Sequence, residues 1–200
     1  MIIFGFGGHA RSVADVALSA GYESLFFIDE NARSNENFLG HPVFRSLSSL
    51  DEVACDAISA SGDNLRREKH CEEIEARGFK LISLISPLAS LGAGSLIAEG
   101  GFIAHHAHVG PMASIGRGAI VNTGAIIEHE SSVGGFSHVS VKAVIAGRSG
   151  LGNFSMLGAG AVVIDGISVG SHVVIGAGAV VCNDITEPGV YVGIPAHKLK

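Results

Sequence analysis

The chain has 200 residues, 47% hydrophobic and 16% charged, with 28 glycines and a net charge of −6 at a pI near 5.9. An acidic balance without any Lys/Arg block excludes a surface built for nucleic acid or anionic lipid. Cys55, Cys71 and Cys182 form no CxxC pair, which reads as reduced thiols of a cytoplasmic protein rather than a disulfide framework.

The apolar start, MIIFGFGG, is too short for a signal peptide and has no basic residues ahead of it, and no apolar run reaches membrane-spanning length. It reads instead as a strand, Ile2–Phe4, broken at Gly5. A helix over Arg11–Ala20 follows, with Val13, Val16, Ala17 and Ala20 at helical spacing and Gly21 as its stop. Leu25–Ile28 is a second strand and 54–60 a third. A polar helix from about Asp63 to Arg77 stops at Gly78, and Phe79–Ile85 closes the unit. Strands alternating with helices imply a parallel sheet, so residues 1–84 are expected to be an α/β, Rossmann-like domain.

The rhythm then changes. From Leu91 to Val181 every sixth residue is Ile, Leu or Val, sixteen positions without a miss. Four residues after each, the first twelve positions hold only Gly, Ala or Ser, from Ser95 to Ala161. A hexapeptide period predicts a parallel β-helix over 85–200, with the aliphatic residue inside and the small one where the chain turns sharply. GAGAVV occurs at 158–163 and again at 176–181. That spacing is three hexads, so each coil uses three strands and residue i stacks on i+18.

Some motifs interrupt this pattern. GFGGHA (5–10) follows a strand and opens a helix, the context of a phosphate-binding loop or of a purely structural tight turn. Asp29 ends the second strand, where an acidic residue can hold a sugar or nucleoside hydroxyl. Alone, the pair would suggest a dinucleotide and an oxidoreductase, with Ala10 in place of the third glycine. Asp63 and Asn64 read as a helix cap. Glu128, His129 and Glu130 are either a solvated edge or a general base with its carboxylate. Asn122, Ser140, Gly158–Gly160 and Gly176–Gly178 fall on one face, one coil apart. Two stacked GAG steps there leave a strip without side chains, a groove for an extended ligand or merely a consequence of stacking. Lys142 and Arg148 are candidate phosphate partners or plain surface charges. His105, His106 and His108 cluster, but the His pair five apart that marks zinc enzymes of this solenoid class is absent near His129, and no metal is expected.

GFGGHA, FIDE (27–30), SGDNLRR (61–67), the hexapeptide array, NTGAIIEHE (122–130), FSHVS (136–140) and YVGIPAHK (191–198) together resemble the NeuD/PglD-type sugar acetyltransferases. That family comprises bacterial sialic-acid O-acetyltransferases and nucleotide-amino-sugar N-acetyltransferases. The resemblance runs nearly end to end. It implies a left-handed β-helix, acetyl-CoA as cosubstrate, a homotrimer with intersubunit active sites, and a nucleotide-sugar site made of Gly7, Gly8, His9, Asp29, Glu30 and Gly62. It implies His129 as the base that deprotonates the acceptor amine, with Glu130 fixing its tautomer; adjacency alone does not show contact, since successive strand side chains diverge. Acetyl-CoA would meet His138, Asn122, Ala159 and Ala177, and the Gly147 N–H is the candidate oxyanion donor. His129 and His138 are expected to point outward in different directions and to meet only between two chains. A hydroxyl acceptor of the sialic-acid type, and a non-catalytic nucleotide-sensing trimeric scaffold, are the alternatives.

Overall fold

The computed structural model describes residues 1–47 and 55–199. Strands β1 (Ile2–Phe4), β2 (Phe26–Ile28), β3 (Asn37–Phe38), β4 (His41–Phe44), β5 (Asp56–Ser59) and β6 (Lys80–Leu81) form one sheet in the order β3-β4-β2-β1-β5-β6. All pairs are parallel except β3 with β4. Helix α1 (Gly8–Ser19) follows β1, and α2 (Asn64–Ala76) follows β5. The run Ile2-Ile3-Phe4 is apolar throughout because both its faces are covered. Ile3 packs with Val13, Ala14 and Ala17 of α1, while Ile2 and Phe4 pack with Cys71 and Ile74 of α2.

Several boundaries differ from those read in the sequence. Helix α1 starts at Gly8, inside the glycine loop, because Gly7 is extended (φ −76°, ψ −171°) and serves as its N-cap. The strand expected over 54–60 runs Asp56–Ser59, and residue 54 lies outside the described residues. Phe79–Ile85 is two strands, not one: β6 closes the first sheet, whereas Leu84–Ile85 pairs with Phe102–Ile103. Ile85 lies one hexad before Leu91, so the register begins earlier than the array suggested. The β3–β4 hairpin was not anticipated.

From Leu84 to Val181, short strands stack in parallel at intervals of 18 into three sheets, the walls of a prism, and the first wall is extended by Gly189–Val192 with His197–Lys198 antiparallel to it. Inward residues such as Ile103, Val121, Ile127, Val139 and Ile145 are fully enclosed. Leu91 is the exception at 46% exposure, since it lies in the terminal strand of its sheet.

The sharp turn is not at the small residue but one position before it. Every sixth residue from Gly94 to Gly178 is left-handed, with φ between 53° and 73°, including His106, Met112, Glu130, Phe136, Lys142, Arg148, Phe154 and His172. A non-glycine residue there costs of order 1 kcal/mol, so neighbouring coils must hold it in place. Phe136, Phe154 and His172 do so by stacking, with centroids 5.5 and 5.3 Å apart. The residue that follows is packed inside the corner and is Ala, Gly or Ser from Ser95 to Ala161, with Ile167 and Val173 taking its place in the later coils. Ser137 Oγ donates to Gly152 O (2.5 Å) and accepts from Ser155 N (3.0 Å); Ser155 Oγ donates to Gly170 O (2.8 Å) and accepts from Val173 N (3.0 Å).

Coil-to-coil contact is tightest where glycine follows the inward residue. A Cβ on Gly152 would lie 2.4 Å from Gly170 C and Ser171 N, backbone atoms that cannot yield. Gly152→Ala is therefore expected to destabilise the prism by about 2–3 kcal/mol. A lowered denaturation midpoint at unchanged m-value checks this.

The three walls differ outside. On the first, Phe102 and Ile120 pack under α1 with Val13 and Val16, joining the α/β unit to the prism. On the second, Ser114, Ser132 and Ser168 face solvent. On the third, Ile126, Val144, Val162 and Val180 form an outward apolar stripe, half-buried and one coil apart.

Candidate active site

Two assemblies of functional side chains emerge, on different faces of one chain. The first is a cleft of about 700 Å³ at the carboxyl ends of β1, β2 and β5. Its order β2-β1-β5 places neighbours of β1 on both sides, so the loops after these strands splay apart and leave a crevice. Gly7, Gly8, His9, Asp29, Glu30 and Gly62 all line it.

The glycines there have a distinctive reason. Gly5 needs φ +99°, but Gly7, Gly8 and Gly62 have no left-handed φ, and a Cβ on any of them would meet nothing within 4 Å. Neither backbone strain nor packing demands glycine at these three positions. What their missing side chains provide is room over the N-terminus of α1, which has no side-chain cap and no acidic residue in its first turn. Free N–H groups of that kind suit a phosphate. Helix α2 contrasts with it: Asp63 Oδ1 accepts from Arg66 N at 2.8 Å, so the α2 end already carries its anion. Asp29 holds the loop, its Oδ2 accepting from Phe6 N (2.8 Å) and its Oδ1 from Asn31 N (2.9 Å). Each carboxylate oxygen keeps a lone pair for a ligand hydroxyl.

Sequence reasoning missed the basic side of this cleft: Arg45, Arg66, Lys69, His70 and Arg77. The signal was available, since 66, 69, 70, 73 and 77 share one face of a helix. Arg77 is paired with Glu73 at 2.9 Å, whereas Arg66 and Lys69 form no ion pair among the described residues.

The second assembly is the corner 128–130. Here Glu130 is left-handed (φ 60°), so its side chain swings back beside His129 instead of diverging from it. His129 Nδ1 lies 3.1 Å from Glu130 Oε2. Glu128 is spent locally, accepting from His129 N at 3.3 Å. One coil on, a Cβ on Gly147 would lie 2.6 Å from His129 Nε2 and 2.9 Å from Asp165 Oδ1, so a side chain there would push the imidazole aside. Among the described residues the Gly147 N–H has no acceptor. Arg148 is tied to Asp165 at 2.6 Å, and Lys142 is exposed.

His138 departs from expectation. It does not point into solvent: it is 8% exposed, on the wall that the α/β unit covers, above Phe102 and Ile120. Its ring lies 6.0 Å from that of His9, and its Nε2 is 3.2 Å from Asn122 Nδ2. Asn122 is oriented by Thr123 N, which donates to its Oδ1 at 2.8 Å. Desolvation pushes His138 down to about 3, with His9 and Arg67 adding to the effect and a backbone hydrogen bond to Gly62 opposing it. Burial likewise lowers His9 to about 4, helped by Arg67. His9 packs edge-on against Phe102 (5.1 Å), and its buried Nε2 has no protein partner among the described residues. His9, His138 and Asn122 thus join the cleft to the prism corner at 158–160 and 176–178. Ala159, Gly160, Ala177 and Gly178 are exposed there, and a Cβ on Gly160 or Gly178 would meet nothing.

In the His105–His106–His108 cluster two rings are engaged by protein: His105 with Ser86 Oγ (2.6 Å) and Asp15 (3.1 Å), His108 with Ser90 Oγ (2.8 Å). Among the described residues no group of three or more His, Cys, Asp or Glu is placed to hold a metal, and no helix is long and apolar enough to cross a membrane.

Comparison with known proteins follows the same division. Residues 1–74 match the PglD N-terminal domain model. The acetyltransferase domain of PglB from Neisseria gonorrhoeae superimposes with a TM-score of 0.92 at 32% identity, over 99% of this chain and 98% of that one. The same domain solved in complex with acetyl coenzyme A gives 0.92 at 34%. A mutant of GDP-perosamine N-acetyltransferase from Caulobacter crescentus, solved with CoA and GDP-perosamine, gives 0.90 at 28% over 100% of this chain and 96% of that one. The match thus runs over the whole length of these proteins, through the parallel-sheet unit and the hexapeptide prism alike: the chain belongs to the NeuD/PglD-type family of sugar acetyltransferases.

Proposed function

We propose that this protein transfers the acetyl group of acetyl-CoA to the amine of a nucleotide-linked amino sugar, at a site shared by two copies of a cytoplasmic homotrimer. Residues 1–84 hold the nucleotide sugar, and 85–200 hold acetyl-CoA and the catalytic base. Within that division the nucleotide diphosphate lies over Gly7, Gly8, His9 and Gly62, with Asp29 and Glu30 toward its ribose or base. The pantetheine arm runs along the side-chain-free corner past Ala159 and Ala177 toward Asn122 and His138.

The observation that carries the reading is the His129–Glu130 pair resting on Gly147. Glu130 takes the Nδ1–H and leaves the Nε2 lone pair to accept the proton of the attacking amine. The amine nitrogen bonds to the thioester carbonyl carbon, and the oxyanion that forms faces the unused Gly147 N–H. As the carbon–sulfur bond breaks, the proton passes from His129 to the departing sulfur, giving the acetamido sugar and CoA thiol.

The assembly follows from the apolar stripe of Ile126, Val144, Val162 and Val180. That wall is bounded by the 128–130 corner on one side and by the 158–160 and 176–178 corner on the other. Packing three such walls about an axis parallel to the prism sets the His129 corner of one chain against the glycine corner of the next.

Purified protein supplied with acetyl-CoA and UDP-, GDP- or dTDP-linked amino sugars should release free thiol with at least one of them; sugars bearing only hydroxyls should release none. Release with the hydroxyl sugars alone would instead favour O-acetylation. For the assembly, His129→Ala and Ala177→Trp variants should each be inactive. Coexpressed, they should regain about a quarter of wild-type turnover, because one interface in four would pair an intact base with an intact groove. No recovery in demonstrably mixed oligomers would place the whole site in one chain.

A further inference from the structure

Arg67 is the largest fully buried side chain in the chain, 1% exposed. Among the described residues no carboxylate forms an ion pair with it. Burying a charge without a counter-charge is expensive unless every donor is satisfied, and here the guanidinium is satisfied by carbonyls. Nε donates to Gly118 O (2.6 Å), Nη1 to Ser61 O (2.9 Å) and Gly62 O (3.3 Å), and Nη2 to Phe136 O (2.7 Å) and Asn64 Oδ1 (2.8 Å). Burial lowers its proton affinity to about 10, so it remains a cation at neutral pH.

These acceptors are not scattered. Ser61 and Gly62 form a wall of the nucleotide cleft. Gly118 and Phe136 are the left-handed corner positions of two successive coils, and the second corner leads through Ser137 directly into His138. One planar, rigid group thus grips both the cleft loop and the segment that carries His138. A flexible ammonium could satisfy one of these segments but not both at once.

We propose that Arg67 is a positioning residue that makes the cleft loop and the His138–Asn122 edge of the groove a single ordered unit, so that a ligand in either site raises affinity for the other. The proposal rests on the assignment of the two sites given above. A nucleotide against Gly62 orders the 61–62 loop; through Arg67 the same ordering reaches 136–138, and CoA then meets a groove edge that is already set. Linkage makes the effect reciprocal.

The test is calorimetry on the full-length oligomer, with CoA and with UDP, GDP or dTDP, each alone and then with the other saturating. In the wild type, the diphosphate that binds should tighten CoA at least about fivefold, within the usual span of site–site coupling, and CoA should tighten the diphosphate equally. The diphosphate alone should also slow amide hydrogen exchange over 136–140. Arg67→Lys, checked for folding by its melting curve, should bind each ligand alone within about threefold of wild type while the coupling falls to near unity. A side chain that served packing alone would weaken both ligands and leave their ratio intact. If Arg67→Lys does not fold, Asn64→Ala, which removes one acceptor of Nη2, should reduce the coupling at least about twofold. Ligands that bind independently in the wild type, or coupling that survives in the folded variant, overturn the proposal. Failure of all three diphosphates and of CoA to bind would sink the site assignment and the coupling with it, whereas binding without coupling sinks only the coupling.

Discussion

Replacing His129 by alanine should lower turnover by about 10²–10⁴-fold, the range that a positioned general base supplies. The fold should be untouched, because His129 is a partly exposed corner residue outside the prism core, with a side chain 44% exposed. Its backbone carries a hydrogen bond to the next coil that loss of the ring leaves in place, Arg148 N donating to His129 O at 3.0 Å. Steady-state kinetics with acetyl-CoA and the active nucleotide sugar, beside a melting curve, separate the two effects. Glu130→Gln should fall between wild type and His129→Ala, since an amide can still accept the Nδ1–H but carries no charge to stabilise the imidazolium that forms. Turnover in His129→Ala within tenfold of wild type would remove this residue from the chemistry. The ring's place against Gly147 bears on the same result, because a Cβ there would lie 2.6 Å from Nε2 and displace the imidazole.

Acid should destabilise this protein before its carboxylates are neutralised. His9 and His138 are held neutral by burial, at about 4 and about 3, against 6.5 in an unfolded chain. As pH falls below 6.5, the unfolded chain binds protons that the native state refuses. Stability therefore declines with falling pH, and the loss continues until the native pKa values are reached. At pH 5 each histidine accounts for about 2 kcal/mol of lost stability relative to pH 8, about 4 kcal/mol together. His70, also lowered by burial, adds in the same direction. Since a small domain has only about 5–15 kcal/mol in hand, this is a large fraction. Urea unfolding at pH 8, 6.5 and 5 gives the slope, and His138→Gln should remove close to half of it. A midpoint that stays constant between pH 8 and pH 5 would show that these imidazoles are not held neutral.

These two histidines also show where the sequence stopped being legible. Hexad register, three strands per coil and the i+18 stacking could be read directly, because a strictly periodic apolar pattern has one geometry that buries all of it. The glycine loop at 5–10 and Asp29 could be placed for a related reason, since loops after parallel strands gather at one end of the sheet, whereas His9, Glu30 and Gly62 as site residues came only with the family resemblance. Whether Glu130 touches His129 could not be read, because it depends on the left-handed backbone at residue 130, and nothing about a glutamate announces that conformation. The β3–β4 hairpin escaped because its strands are too short to show alternation.

His138 escaped for a larger reason. Its place in the hexad makes it an outward residue, which by itself implies exposure. The burial comes from another part of the chain, since α1 and the 61–62 loop cover that wall and not the other two. Arg67 is the same case: its partners lie 51 and 69 positions away, at Gly118 and Phe136, and its sequence context shows only a basic residue on a polar helix.

The sequence by itself determined the prism, its period, the parallel sheet before it and the residue types at the 128–130 corner, because each follows from patterns local to a strand, a turn or a coil. Only the tertiary structure decided which wall is covered, which histidines are dry, and which arginine binds the two halves together. Those depend on contacts between segments far apart in the chain, and no local pattern encodes which outward face another unit will bury.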